Sequence, residues 1–166
     1  MTEADALARL AAARAGLDAL GPLTVVARGY AGLDLDQAEA EATGTIAHDG
    51  VRPAPDDTLL GARCRIVLTL DGPWLVLLEP ANEGRLAASL ARYGQVPIVE
   101  YLALTTRAEE TVAVAARAAI ALSPPAGGPL GRERLVLGGL AWGPHLILLE
   151  EPPPGAPGPA AATIER

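Results

Sequence analysis

The chain has 166 residues, of which 50% are hydrophobic and 20% charged, and its formal net charge at pH 7 is −7. A chain of this length can bury about 70% of its extended surface, as one domain or as two small fused modules. The acidic balance argues against a nucleic-acid backbone or an anionic membrane as partner, because both need clustered positive charge. A neutral or cationic small molecule fits better.

Residues 4–20 predict an amphipathic N-terminal helix, which Gly21-Pro22 ends. Its apolar face either covers a sheet or meets a partner, and the leucines on it are Leu7, Leu10, Leu17 and Leu20. Charged residues interrupt this segment where a signal peptide needs a continuous apolar run, which predicts a cytoplasmic protein. The longest apolar stretch, 135–149, is too short and too rich in glycine to span a bilayer.

The rest of the first half predicts a strand, a loop, a helix capped by Asp34 or Asp36, a strand, a turn-rich connection and a hairpin. In order, these elements occupy 23–28, 29–32, 34–42, 43–48, 49–57 and 62–79. Cys64 lies in the hairpin, where a buried structural cysteine is expected rather than a reactive thiolate. A connecting helix at 82–93 follows, and Gly94 ends it in the position that favours glycine.

The second half predicts the same succession of elements. A strand at 97–104 leads to a helix that Thr106 caps, and a short strand starts at residue 120. A loop rich in proline and glycine at 123–131 precedes the second hairpin. The last residues, 152–166, carry too much proline and glycine to support a packed element, so a flexible tail is expected.

An internal repeat explains this succession. The segment Gly72-Pro73-Trp74-Leu75-Val76-Leu77-Leu78-Glu79 recurs as Gly143-Pro144-His145-Leu146-Ile147-Leu148-Leu149-Glu150. Similar strands, 65–68 and 134–137, precede the two copies, and Pro22 aligns with Pro97 when the halves are overlaid. The chain therefore uses one strand-helix-strand-strand-strand motif twice.

This duplicated motif resembles the vicinal oxygen chelate superfamily, which includes glyoxalase I, methylmalonyl-CoA epimerase, extradiol dioxygenases and bleomycin-resistance binding proteins. Residues 63–104 are most similar to the epimerase pattern of a hairpin, a Leu-Leu-Glu-Pro motif, a connecting helix and the next strand. The resemblance implies an α+β fold in which two tandem βαβββ modules form a curved mixed sheet that encloses a cleft. The corresponding limits are 1–21 for the N-terminal helix, 22–80 and 97–151 for the modules, 81–96 for the connecting helix and 152–166 for the tail.

Metal-dependent members of that superfamily place four ligands in the cleft, on the first and fourth strands of each module. The resemblance puts the two carboxylate positions on Val76 and Ile147 and one histidine position on Tyr101. The other histidine position falls between residues 23 and 26, and no residue from 22 to 28 is His, Asp, Glu or Cys. Aliphatic side chains cannot bind a divalent ion, so no metal and no cofactor are expected. A relocated site would have to use His48, His145 and nearby carboxylates.

Strand alternation predicts which side chains line the cleft, because residues two apart share a face. The predicted ligand-binding residues are Trp74, Val76, Tyr101, His145, Ile147, Arg65 and Arg134. Each also has a purely structural interpretation. Trp74 and His145 could be satisfied residues near turns, and the two arginines could be solvated or paired with Glu79, Glu133 or Glu150.

The leading hypothesis is a metal-free small-molecule-binding protein of the bleomycin-resistance type, which sequesters an aromatic or cationic drug or pathway intermediate in an apolar cleft. The alternative is a metal-independent isomerase, cyclase or lyase in which His145 and Tyr101 transfer protons. A scaffolding role for a degenerate module is a third possibility. The long apolar strands also favour a homodimer, since unpaired sheet edges need cover.

Overall fold

The computed structural model describes residues 1–157, which form four α-helices and one large sheet. The helices are α1 (Glu3–Ala15), α2 (Leu35–Thr45), α3 (Arg85–Tyr93) and α4 (Ala108–Arg117). The strands are β1 (Leu23–Ala31), β2 (His48–Asp57), β3 (Ala62–Thr69), β4 (Trp74–Pro80), β5 (Pro97–Leu104), β6 (Ala126–Gly128), β7 (Gly131–Leu135) and β8 (His145–Leu149). None of the helices in this part of the chain has the length and apolar character needed to cross a membrane.

The sheet has eight strands in the order β2-β3-β4-β1-β5-β8-β7-β6, and it curves until its two outer strands approach each other. At this seam the Thr58 hydroxyl, which directly follows β2, donates to the backbone carbonyl of Gly127 in β6 at 2.9 Å. The sheet is therefore nearly closed, and both of its long edges belong to the same chain. Its interior holds one large apolar cluster, to which both modules contribute.

A pseudo-twofold axis between β1 and β5 relates the two modules. These strands pair antiparallel at the centre, while β4 runs parallel to β1 and β8 runs parallel to β5. Trp74 pairs with Ala27, and the equivalent His145 pairs with Val99. Ala27 and Val99 are therefore equivalent positions of the two modules.

The same axis makes Gly29 the equivalent of Tyr101. The β1–β5 register agrees, because Ala27 lies opposite Tyr101 and Gly29 lies opposite Val99. The alignment of Pro22 with Pro97 is consequently wrong, since it would match residue 27 with residue 102. The first-module position that corresponds to Tyr101 is a glycine, and a Cβ there would lie 2.7 Å from Leu78 Cδ1.

The N-terminal helix covers the outer face of the sheet. The sequence had left open whether its apolar face covers a sheet or meets a partner. Leu10 of α1, and Leu17 and Leu20 in the turn that follows the helix, are buried against Leu102 and other apolar residues of β5 and β8. The Arg14 guanidinium at the end of α1 also pairs with the buried Glu100 carboxylate on β5. Burial of these leucines attaches the helix to the second module, while α2 packs on β3 and β4 of the first.

Several segments differ from the prediction. The N-terminal helix ends at Ala15 and is followed by a 3-10 turn at Asp18–Leu20. The short strand predicted from residue 120 is reduced to a single bridge between Leu122 and Val136.

Residues 29–31 continue β1 rather than forming a loop. The glycine at position 29 reflects close packing within the sheet, where a side chain has no room, and not a turn. Thr43 and Thr45 stay in α2, where each hydroxyl donates to the backbone carbonyl four residues earlier. Residues 49–57 belong to β2 rather than to a turn-rich connection, because an edge strand tolerates Pro53 and Pro55, which lack an N–H.

Another difference lies in the loop predicted at 123–131, which contains the short strand β6 and the first residue of β7, Gly131. In the segment predicted as a flexible tail, Ala156 packs against the interior cluster. Residues 158–166 of that tail lie outside the described residues.

Candidate functional site

Three of the metal-ligand positions that the resemblance implies, Val76, Tyr101 and Ile147, lie in the interior. The fourth was expected between residues 23 and 26, which is wrong, because the strand register makes Gly29 the equivalent of Tyr101. The pairings bring these positions side by side, since Gly29 pairs with Val76 and Tyr101 pairs with Ile147. A glycine, two aliphatic side chains and a protonated phenol do not fit a divalent metal. Within residues 1–157, no group of three or more His, Cys, Asp or Glu side chains could hold a metal ion elsewhere.

Five of the predicted ligand-binding residues face the interior together. Trp74, Val76, Tyr101, His145 and Ile147 are all buried. Leucines from the connecting segments, among them Leu60, Leu86 and Leu130, belong to the same buried cluster. The space between the modules is thus filled by side chains, and a ligand role for these five residues stays a prediction.

Arg65 and Arg134 lie on the outer face of the sheet, so their assignment to the cleft is wrong. Their neighbours along the strands, including Cys64 and Glu133, take the inward positions, and alternation turns both arginines outward. Arg65 pairs with Asp36 and Glu39 of α2, with 2.6 Å between the charged atoms in each pair.

Arg134 pairs with Glu150 at 3.1 Å and also donates to the Ser123 carbonyl at 3.2 Å. The structural interpretation, pairing with acidic neighbours, holds for both arginines in kind, but the partners of Arg65 are Asp36 and Glu39 rather than any of the three glutamates expected from the sequence. For Arg134 the partner is one of the three glutamates expected from the sequence.

A buried polar group joins the two modules at the seam. The Tyr101 hydroxyl donates to Asp57 Oδ2 at 2.9 Å. Asp57 Oδ1 accepts from the backbone amides of Leu59 and Leu60 at 3.0 and 2.9 Å. Burial nevertheless raises the pKa of Asp57, and burial together with the neighbouring carboxyl groups raises the pKa of Tyr101.

Glu133 on β7 completes this group. It is 0% exposed, and no N–H or O–H group of the described residues donates to either of its carboxyl oxygens. Burial and the adjacent Asp57 raise the pKa of Glu133 to about 9. At neutral pH Glu133 therefore holds a proton, and it can donate that proton to Asp57. The interior at Gly128 is shaped around it, because a Cβ there would lie 1.7 Å from Glu133 Oε1.

His145 is bonded separately, to the connecting helix. Its Nε2 lies 3.0 Å from Ser89 Oγ, which itself donates to the Arg85 carbonyl at 2.9 Å. Because the serine proton is used in that way, Nε2 of His145 carries the ring proton and donates it to Ser89. Burial and the charge of Arg85 lower the pKa of His145 to about 4, so the imidazole is neutral at physiological pH.

The sequence analysis did not identify Asp57. It offered Glu133 as a partner for Arg65 or Arg134, whereas the neighbour of Glu133 is Asp57. Alternation along β7 contained the signal for Glu133, since it lies two residues before the inward-facing Leu135. The sequence contains no comparable signal for Asp57, because this residue ends an edge strand that the sequence pattern predicts to be a turn-rich connection.

Outside the interior, a groove of about 530 Å³ lies on the outer face of the first module, between the start of α1 and the length of α2. Strand side chains form its floor, and the two helices and the segment before β5 form its walls. Its lining residues are Glu3, Tyr30, Ala38, Glu41, Ala42, Thr45, Ile46, Leu75, Leu77 and Gln95.

Comparison with known proteins finds similarity only in structure, since no protein-family model and no curated protein sequence matches the chain. A variant of methylmalonyl-CoA epimerase from Streptomyces coelicolor in complex with 2-nitronate-propionyl-CoA superposes with a TM-score of 0.59 at 18% identity, over 83% of this chain and 100% of that chain. The methylmalonyl-CoA epimerase from Mycobacterium tuberculosis gives a TM-score of 0.61 at 16% identity, over 74% of this chain and 83% of that one.

A hypothetical protein from Bacillus halodurans C-125 gives a TM-score of 0.60 at 15% identity, over 76% of this chain and 92% of that one. These superpositions extend over both βαβββ modules and confirm the predicted architecture. The chain has the fold of the vicinal oxygen chelate superfamily.

Proposed function

We propose that the chain is a metal-independent small-molecule-binding protein rather than an enzyme. The observation that supports this most directly is the state of the polar interior. Tyr101, Asp57 and Glu133 are each 0% exposed and lie against one another. A substrate atom has no path to a proton donor or acceptor there, which argues against acid–base catalysis by these side chains.

The alternative, a metal-independent enzyme that uses His145 and Tyr101, has less support. A catalytic acid or base works best with a pKa near the working pH. Burial lowers the pKa of His145 to about 4 and raises that of Tyr101 above its ordinary value, so neither group exchanges a proton near neutrality. Neither side chain is accessible to a solute, since His145 is 3% exposed and Tyr101 is 0% exposed.

The net charge of the molecule indicates which classes of ligand it is expected to bind. A net charge of −7 repels polyanions such as coenzyme A esters and favours neutral or cationic molecules. The epimerase from Streptomyces coelicolor holds an acyl-CoA analogue. We propose that this chain keeps the fold but takes a ligand of different charge.

Thermal unfolding of the chelator-dialysed protein against a panel of neutral, cationic and anionic small molecules tests this function. A ligand that binds only the folded state stabilises it by about 2.7 kcal/mol at a hundred times its Kd. We expect stabilisation by cationic or neutral aromatic compounds without added metal and none by methylmalonyl-CoA. Elemental analysis adds an independent criterion, because one equivalent of tightly held Zn, Ni, Co or Fe would contradict the proposal.

A second assay separates binding from catalysis. Methylmalonyl-CoA incubated with the protein in deuterated water should show no exchange of its α-proton above the rate in buffer. Metal-dependent exchange would instead make the chain an epimerase, and the binding proposal would then be wrong.

A further inference from the structure

The outer groove has the size and composition of a small-molecule site. Its volume of about 530 Å³ lies within the range of roughly 300 to 1,000 Å³ that is common for ligand pockets. Leu75 and Leu77 of β4 and Tyr30 of β1 form an apolar floor, and Ile46, which is 37% exposed, lies at the end of α2 beside it. A flat or compact apolar group can therefore be covered on several sides.

All formal charge in the lining of the groove is negative. Glu3 at the start of α1 and Glu41 on α2 are exposed, and no Lys, Arg or His side chain is among the lining residues. No cation of residues 1–157 forms a salt bridge with either carboxylate, and the nearby Arg65 is engaged by Asp36 and Glu39. Glu41 Oε1 accepts a hydrogen bond from the Gln37 side chain at 2.8 Å, but this neutral donor leaves the charge of both carboxylates available to an external cation.

The groove also offers neutral polar groups beside this charge. The pKa of Tyr30 is raised by partial burial and then by Glu3 and Glu41, which means that both carboxylates act on the Tyr30 hydroxyl from opposite helices. Across the described residues, that hydroxyl has no hydrogen-bond partner, while the exposed Gln95 side chain lies at the other rim. An aromatic ring flanked by carboxylates is a favourable environment for an organic cation.

We propose that this groove binds an organic cation, such as an ammonium or phosphonium centre carried on an apolar body. The apolar body would cover Leu75, Leu77 and the Tyr30 ring, and the positive centre would lie between Glu3 and Glu41. This inference rests on the proposed binding function and adds to it a site and a ligand class. The site lies on the face of the sheet opposite to the filled interior.

Isothermal titration calorimetry with tetraphenylphosphonium tests the inference, with the nearly isosteric anion tetraphenylborate as the charge control. The variant carrying Glu3→Gln and Glu41→Gln should bind tetraphenylphosphonium about fivefold more weakly, since ion pairs at exposed carboxylates contribute only modestly to affinity. The matched control carries Glu109→Gln and Glu110→Gln, which remove the same charge from exposed positions in the first turn of α4. Its affinity should change less than twofold, and tetraphenylborate should bind none of the proteins.

A second pair of variants tests the location without removing carboxylates. Ile46→Lys places a cation in the groove and should abolish binding, while Leu140→Lys adds the same charge at a residue that is 58% exposed elsewhere and should preserve it. Equal weakening by both members of either pair would overturn the groove as the site. Stabilisation by other compounds in the thermal panel would then still support the proposed function, whereas a panel without any ligand would contradict that function itself.

Discussion

Glu133 is a carboxyl group that remains protonated at neutral pH because folding removes it from water and places it beside Asp57. An isolated buried carboxylate would be far more costly, so the side chain is neutral instead of charged. The pair explains why two acidic residues can share the interior of a molecule whose surface is already acidic. The energetic consequence is a dependence of stability on pH.

The sign of that dependence follows from the two pKa values of Glu133. The folded value is about 9 and the ordinary value is 4.5, so between these pH values the folded state holds a proton that the unfolded chain has lost. The free energy of unfolding therefore falls as pH rises through this window, by up to about 1.4 kcal/mol per pH unit. Glu133→Gln has no titrating group at this position and should lose the part of the slope that Glu133 contributes, while Asp57, whose pKa burial also raises, remains in both proteins.

Urea unfolding of the wild type and of Glu133→Gln at pH 5, 7 and 9 measures this pH dependence as the difference between their free energies of unfolding. The neutral His145, whose pKa is lowered to about 4, contributes stability above its ordinary pKa of 6.5 that is lost as pH falls from there towards 4. That contribution is common to both proteins and cancels in the difference. The stability of Glu133→Gln relative to the wild type should increase steadily with pH, and parallel curves would show that Glu133 is already ionised in the folded state.

Tyr101 supplies the hydroxyl donor to this pair, and its replacement by Phe tests the bond alone. Tyr101→Phe leaves Asp57 Oδ2 without the donor that lies at 2.9 Å, in a position with 0% exposure. We expect a loss of about 1–3 kcal/mol in the free energy of unfolding, because an unsatisfied buried acceptor bears its full desolvation cost.

Tyr93→Phe is the matched control, since its half-buried hydroxyl only accepts from Arg9 at 3.5 Å. It should change the free energy of unfolding by less than about 0.5 kcal/mol. Equal losses in urea unfolding of the two variants would mean that the Tyr101 hydroxyl contributes no more to stability than the half-buried Tyr93 hydroxyl does.

Among the elements, the central ones were predictable and the outer ones were not. Strand β5 occupies 97–104, as its mostly apolar run indicates, because a strand buried on both faces needs no alternation, and Glu100 within it is paired with Arg14. Edge strand β2 was missed because Pro53 and Pro55, which would exclude a central strand, are compatible with an edge.

The candidate site likewise has a part that the sequence predicts, the interior side chains, and a part that it does not, the outer groove. Alternation along β4, β5 and β8 identified the interior side chains, from Trp74 to Ile147. The outer groove depends on how α1 and α2 are placed across β1 and β4, and no local pattern carries that information. Glu3 and Glu41 each look like ordinary solvated helix residues until the fold brings them to one cavity.

Two glycines at helix ends test the backbone reasoning on which the boundaries of these elements depend. Gly94 ends α3 with φ 77°, a conformation that side chains disfavour, and a Cβ there would meet no atom within 4 Å. Gly94→Ala should therefore destabilise the protein by about 1 kcal/mol through the backbone alone. Gly44 lies within α2, also in open space, and Gly44→Ala should stabilise by roughly 0.5 kcal/mol. Thermal unfolding should show shifts of opposite sign, and two shifts of equal sign would contradict the assigned conformations.

At the scale of the whole molecule, the main feature is that one chain closes its own sheet. The outer strands β2 and β6 meet at Thr58 and Gly127, and Asp57 and Glu133 lie inside the same seam. A ligand cleft shared between two chains is therefore not needed to cover these edges. The predicted homodimer stays a prediction, and any dimer interface would use the outer surface rather than the open side of a half-barrel.

Cysteine cross-linking across the seam distinguishes closure within one chain from exchange between two. Thr58→Cys and Gly127→Cys place thiols on the two edges, and a Cβ at Gly127 meets no atom within 4 Å. The native Cys64 should not interfere, because it is 5% exposed and burial raises the pKa of its thiol, which keeps it unreactive.

A short bismaleimide added to the dilute double variant should give an internally bridged chain of monomer mass in denaturing mass spectrometry. An equimolar mixture of the two single variants is the control, because it can form a bridge only between chains. If modules were exchanged between two chains, the mixture would give products of twice the monomer mass and the double variant would do the same. A monomeric product from the double variant and none from the mixture is expected, because the Thr58 hydroxyl already reaches the Gly127 carbonyl of its own chain at 2.9 Å.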